Sequence, residues 1–228
     1  MFKNKFLLII FVLCTSVSVS FAQEALVLLS KGGVQIMKKG GSKWENCKKG
    51  TPIFLGDKLK TNDKGISKVL FIDDQSVLKI RSNSEIEFLG DKQNNKVAKD
   101  VFMSAGEILV KVIKGKNTDF KISTPTSVAS VKGTEFWTIH SDGTTTVIGL
   151  EGIVELFNKI SKESTSVTAN LTGTSSVTGA VGTKTTKTGD VPAFEGDSSS
   201  TGGIKILRLK FIDQEGQEKS LVIEYREK

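Results

Sequence analysis

The sequence predicts an all-β protein whose sheets wrap over one another, with a β-hairpin at the C-terminal end. Between Ala25 and Phe157, short runs with apolar residues two apart are broken by turn residues about every eight to twelve positions, the spacing of consecutive strands. No segment sustains an apolar period of about 3.6 residues over a length that would make a helix. Three runs are entered from a glycine: Gly33-Val34-x-Ile36, Gly106-x-Ile108-x-Val110-x-Val112 and Gly152-x-Val154-x-Leu156. Glycine permits the bend that precedes a new strand. The spacings are unequal, so this is no countable repeat. It suits a wrapped β-sandwich or a β-solenoid-like stack.

The elements follow from that alternation. The first expected strands are Ala25–Leu29, Gly33–Met37, Ile66–Ile72, Ser76–Ile80 and Ser84–Leu89. In them Leu78 and Ile80 oppose Lys79, and Ile86 and Phe88 oppose Glu85 and Glu87, which gives one apolar and one polar face. Asp100–Met103, Glu107–Ile113, Asp119–Ser123, Thr134–His140, Thr144–Leu150 and Gly152–Phe157 continue the series. From Ser161 to Gly203 Ser, Thr and Gly make up more than half of the residues. Val167, Leu171, Val177 and Val181 could still support a strand or two, whereas Thr185–Gly203 reads as a flexible linker that cannot bury enough apolar area to order itself. In the tail, Leu207, Leu209 and Phe211 alternate with Arg208 and Lys210 ahead of a polar tip at Gly216 and a second apolar run, which is a hairpin pattern. The expected divisions are a signal peptide over 1–22, a β domain over 23–160, a Ser/Thr/Gly-rich segment and linker over 161–203, and a hairpin over 204–228.

The signal peptide is read from Lys3 and Lys5, the apolar run Phe6–Leu13 and the small-x-small site Ser20-Phe21-Ala22, with cleavage before Gln23. That run is shorter than the ~20 residues a spanning helix needs, so an uncleaved anchor is the weaker alternative and no stable membrane span is expected after cleavage. Leu13 is not the small neighbour that a lipid-modified Cys14 wants. Cleavage leaves Cys47 as the one cysteine, so the mature chain has no intramolecular disulfide. With His140 the single histidine and no Cys-x-x-Cys, zinc sites and Ser-His or Cys-His nucleophiles lose their usual parts. The formal charge of +7 is spread in pairs such as Lys38-Lys39 and Lys48-Lys49 among acids. Weak attraction to acidic envelope polymers is open, and nucleic acid is not expected.

The stretch Thr124–Trp137, "TPTSVASVKGTEFW", is the best candidate for a reactive loop, and it fails the templates. Lys132 precedes Gly133-Thr134, the reverse of a phosphate loop, and neither Ser127 nor Ser130 has a lysine three residues later. It suits a strand, a tight bend at Gly133 and another strand. Asp73, Asp74, Glu85 and Glu87 leave a glycosidase's acid pair open, while no calcium loop occurs. No catalytic residue, metal or cofactor is assigned.

Four blocks resemble the FecR domain. Gly56-Asp57-x-Leu59-x-Thr61 is the first, and Gly65, Leu70, Ile72, Asp74, Ser76, Leu78 and Ile80 carry the second. Thr124, Pro125, Ala129, Val131, Lys132, Gly133, Thr134 and Phe136 carry the third, and Glu151-Gly152-x-Val154 the last. Gln75 stands where the family has glycine, which suggests a wider turn, and Lys132 where it has arginine, which keeps charge and loses the planar fork. Family sensors that control sigma factors add an anti-sigma segment, a membrane helix and a transporter-contacting domain. This chain shows five residues before its apolar run and a hairpin after its linker, so that role is not carried over. The expectation is a non-enzymatic exported module, periplasmic or at the cell surface, that binds an envelope protein or polysaccharide. The alternatives are a signalling accessory that senses a ligand or an outer-membrane transporter, and an enzyme acting on envelope polysaccharide through Asp73, Asp74 or Glu85.

Overall fold

The computed structural model describes residues 23–93, 96–113, 119–131, 133–194, 204–212 and 218–226, with only the backbone described at 91–98 and 204–226. The signal peptide, Lys132 and the last part of the expected linker lie outside the described residues. The chain alternates between two sheets through β1 (Ala25–Lys31), β2 (Val34–Met37), β3 (Glu45–Asn46), β4 (Pro52–Ile53), β5 (Lys58–Thr61), β6 (Ile66–Phe71), β7 (Val77–Ile80) and β8 (Glu85–Gln93). Then come β9 (Lys96–Lys111), β10 (Phe120–Ser123), β11 (Ser127–Val131), β12 (Glu135–Ser141), β13 (Thr144–Glu151), β14 (Ile153–Asn158), β15 (Ser164–Thr168), β16 (Leu171–Ser176) and β17 (Val181–Thr185). Sheet A runs β4-β1-β6-β7-β9-β12-β13-β16-β17, all antiparallel. Sheet B runs β3-β2-β5-β8-β9-β10-β11-β14-β15, antiparallel except for the parallel pair β9–β10. The all-β expectation is therefore borne out. Among the described residues the one helical piece is a 3-10 turn at Thr188–Asp190, and no helix is long and apolar enough to cross a membrane.

Strand β9 belongs to both sheets. Residues up to Ala105 pair with β8 in sheet B, and Gly106 to Lys111 pair with β12 in sheet A. The sequence pattern suggests two strands here because the inward phase changes. Val101 and Met103 point into the core in sheet B, Ile108 and Val110 in sheet A, and the register slips by one residue at Ser104. Gly106 completes the bend with φ 114°, and a Cβ there would stand 2.4 Å from Ser84 Cα.

The core fills the space between the sheets. Phe71 of sheet A meets Phe120 and Phe88 of sheet B edge-on, with ring centroids 5.4 and 6.2 Å apart. A second cluster lies on the outer face of sheet A, where Ile66, Leu109, Trp137 and Ile148 are covered by Phe194. The expected linker is corrected here. Beyond β17, Thr186 N donates to Asn170 O (2.9 Å), and the chain seats Phe194 with 6% of its surface exposed, so residues 186–194 form an ordered strap. The Ser/Thr/Gly-rich segment holds three strands, because its hydroxyl-rich chain completes ladders offered by β13 and β14. Strands β18 (Ile204–Ile212) and β19 (Glu218–Arg226) form the expected antiparallel hairpin as a separate two-stranded sheet.

Candidate functional site

The sequence-singled residues fall into turns and core rather than into one pocket. Asp57 is buried and fastens two loops: Lys38 Nζ (2.8 Å), Lys39 N (3.1 Å) and Phe54 N (3.0 Å) all donate to its carboxylate. Gly56 beside it has φ 91°. Leu59 is a core residue, and Thr61 Oγ1 donates to Arg81 O (2.7 Å) while accepting from Ser84 N (2.9 Å), which ties β5 to the turn before β8.

Asp74 closes the β6–β7 turn. Ser76 donates to it from N (2.9 Å) and Oγ (2.8 Å), and the buried Lys99 ammonium lies 2.5 Å from Asp74 Oδ2 and 2.7 Å from Asp73 Oδ1. Lys99 Nζ also sits 5.1 Å from the centre of the Phe71 ring. Burial pushes the Asp74 carboxyl up, and Lys99 with Ser76 outweighs it, so its pKa lies below the ordinary carboxylate range. Gln75 does not widen the turn, as its replacement of glycine suggests. It adopts φ 63° itself, and its N donates to Phe71 O (3.0 Å).

Thr124–Trp137 is a strand, a bend with φ 74° at Gly133 and a strand. Ala129, Val131, Phe136 and Val154 enter the core, Pro125 is exposed, and Thr134 is buried at the start of β12. Gly152, φ 79°, turns the chain from the exposed Glu151 into β14, where a Cβ would meet Thr134 Cγ2 at 2.6 Å. Thr124 heads a buried polar network at one end of the sandwich. Its Oγ1 accepts from Ser127 N (3.0 Å) and shares a hydrogen bond with Thr145 Oγ1 (2.8 Å), which also meets His140 Nδ1 (3.0 Å). Ser127 Oγ and Asn158 Nδ2 both donate to Ser175 Oγ (2.8 Å each). Ser127 thus faces a serine, not the imidazole, and burial lowers the His140 pKa against a raising contribution from the Thr144 backbone. The network joins β11 and β14 of one sheet to β12, β13 and β16 of the other. The acids weighed for glycan cleavage are not gathered: Asp73 and Asp74 lie on a turn of sheet A, and Glu85 on sheet B.

What the sequence did not expose is a row across the outer face of sheet B. Register sets Met37, Lys58, Glu87, Phe102, Ser123, Val128, Phe157 and Ser164 side by side, one from each strand from β2 to β15. Phe102, Val128 and Phe157 are half-buried and stand outside both apolar clusters, because their neighbours Val101, Met103, Ala129 and Leu156 take the inward positions. The available signal was an apolar residue on the polar phase of a strand, as in Val101-Phe102-Met103 and Leu156-Phe157. Met37, Lys58 and Glu87 also line a cleft of about 430 Å³, together with Lys38, Lys39, Leu55, Leu89 and four glycines. Lys58 Nζ is 3.3 Å from Glu87 Oε2, and beside them Lys60 Nζ lies 4.2 Å from the centre of the Trp44 ring.

Two sheets, antiparallel but for the β9–β10 pair and sharing one strand, with the motif residues at the turns and in the core, define the class as a wrapped β-sandwich. Residues 57–155 match the family model described as FecR protein, which bears out the resemblance for that stretch. Two crystal structures of a chain described as a "putative anti-sigma factor from Parabacteroides distasonis" are also similar, at 16% identity and TM-scores of 0.49 and 0.48. Each match covers 57% of this chain and 59% of that one. No curated protein matches the chain.

Proposed function

We propose that this is an exported, non-enzymatic FecR-domain protein that serves as a binding module of the cell envelope, with the outer face of sheet B as its binding face. The observation that carries this is the row itself: partly buried Phe102, Val128 and Phe157, outside the core, in line with the cleft at Met37, Lys58 and Glu87. Apolar side chains held outside the core in one line suit a ligand rather than stability. Export rests on the character of residues 1–22. A photo-cross-linking residue placed at Val128 in intact cells tests the reading. It should form an adduct that the same residue at Lys111, on the outer face of sheet A, does not form; equal or absent labelling at the two positions rejects the face.

The FecR match supports a second reading, a signalling accessory that uses the same face to sense a ligand or transporter. Deleting the gene would then change transcription of an envelope transport system, and an unchanged transcript profile would set this reading aside. The enzyme reading is the weakest, since Lys99 and Ser76 already hold Asp74. Hydrolysis of envelope glycans by the purified mature chain above background would restore it.

A further inference from the structure

We infer that the ligand of this face is an uncharged, extended glycan lying across the strands, an inference that rests on the outer face of sheet B being the binding face. The row presents one residue per strand at intervals of about 4.8 Å, close to the rise of one pyranose in an extended β-linked chain. Phe102 and Phe157 are three strands apart and offer two ring faces on which sugar C–H faces stack. Beside them stand Lys58 and Glu87, with the exposed Ser164 at the other end of the row, which supply donors and acceptors for hydroxyl groups. Trp44, half-buried under Lys60, adds a ring beside the cleft end of the row.

Charge decides between polymer classes. Lys58 faces Glu87, Lys60 faces Glu85, and the adjoining row reads Asp100, Lys121, Ser130, Glu155, so the signs alternate and largely cancel. An anionic polymer or a phospholipid surface would need one sign along the face. A protein partner would favour a broad apolar centre with a polar rim, whereas here the apolar residues form a single line bordered by the polar row Asp100, Lys121, Ser130 and Glu155. Gly40, with nothing within 4 Å of where a Cβ would stand, leaves the cleft wall low enough for a sugar ring to come close to the backbone.

The test uses the mature chain, residues 23–228, titrated calorimetrically with cellohexaose and with the N-acetylglucosamine hexamer, and co-sedimented with purified peptidoglycan sacculi. The two soluble arms separate plain from acetamido sugars, and the sacculi report a wall source. At least one arm should bind. Phe102→Ser and Phe157→Ser should each weaken binding about tenfold, and Lys111→Ala should leave it unchanged. Val128→Arg, which blocks the row without removing a ring, covers the case in which a phenylalanine variant unfolds, with near-ultraviolet circular dichroism as the check on folding. No binding in any arm, or binding indifferent to Val128→Arg in a folded protein, overturns the inference. A protein adduct at Val128 with all glycan arms blank overturns the glycan while the binding face stands. Blank arms and no adduct remove both.

Discussion

At Gln75 and Lys99 single side chains carry costs that their surroundings offset. A left-handed φ costs a non-glycine residue about 1–2 kcal/mol, and glycine gives back part of that through its greater freedom when unfolded. Gln75→Gly should therefore stabilise the protein by about 0.5 kcal/mol, read as a higher urea midpoint. Lys99→Met should cost about 3–5 kcal/mol, because it leaves the buried Asp74 carboxylate without its cation. Adding Asp74→Asn should recover much of that loss in the same denaturation assay. The Asp74 pKa is depressed on folding, so its contribution is full above the unfolded value of about 3.9 and fades as pH falls through the lower folded value. Asp74→Asn should flatten stability against pH below about pH 4 and leave the neutral range unsloped. Asp74 and Ser76 were legible as a motif in the sequence. Lys99 was not, because it reaches them from a strand whose partners no local pattern states.

The elements divide by how much of their stability is local. Strands with clean alternation, such as Val77–Ile80 and Ile153–Asn158, were legible because one face is buried and the other more exposed. Strands β3 and β4 have two residues each and exist only as pairing partners of β2 and β1. Strands β15 to β17 are built largely of Ser, Thr and Gly, so the few apolar residues Val167, Leu171 and Val181 announce only a strand or two where three form. Strand β9 was read as two because the slip at Ser104 inverts its phase. Gly106→Ala tests that crossing: its Cβ would overlap Ser84 at a φ of 114°, so a loss of about 3 kcal/mol or more is expected in thermal unfolding. A loss under about 1 kcal/mol, an ordinary glycine effect, would mean that β9 bends some other way. The row across sheet B was illegible for a related reason. It takes one residue from each of eight strands, and register between distant strands is a property of the folded sheet.

Across the whole molecule, the strap shows that the fold continues beyond the matched stretch 57–155. Phe194 covers Trp137 and Ile148 on the outside of sheet A, with Lys79 Nζ 5.6 Å from its ring. Phe194→Ala should cost about 3 kcal/mol and shift the tryptophan emission to the red as Trp137 meets water. Unchanged emission would show that the face is covered without the strap. Two faces of the same sandwich thus differ among the described residues: the outer face of sheet A carries a strap of its own chain, and that of sheet B bears the partly buried line Phe102, Val128 and Phe157. The strand common to both sheets adds a constraint on survival. A cut or a chemical lesion in β9 cannot be confined to one layer, because the same backbone supplies the middle of each. A damaged copy therefore has no half-folded refuge with one sheet intact, and it opens to proteolysis as a whole rather than one layer at a time.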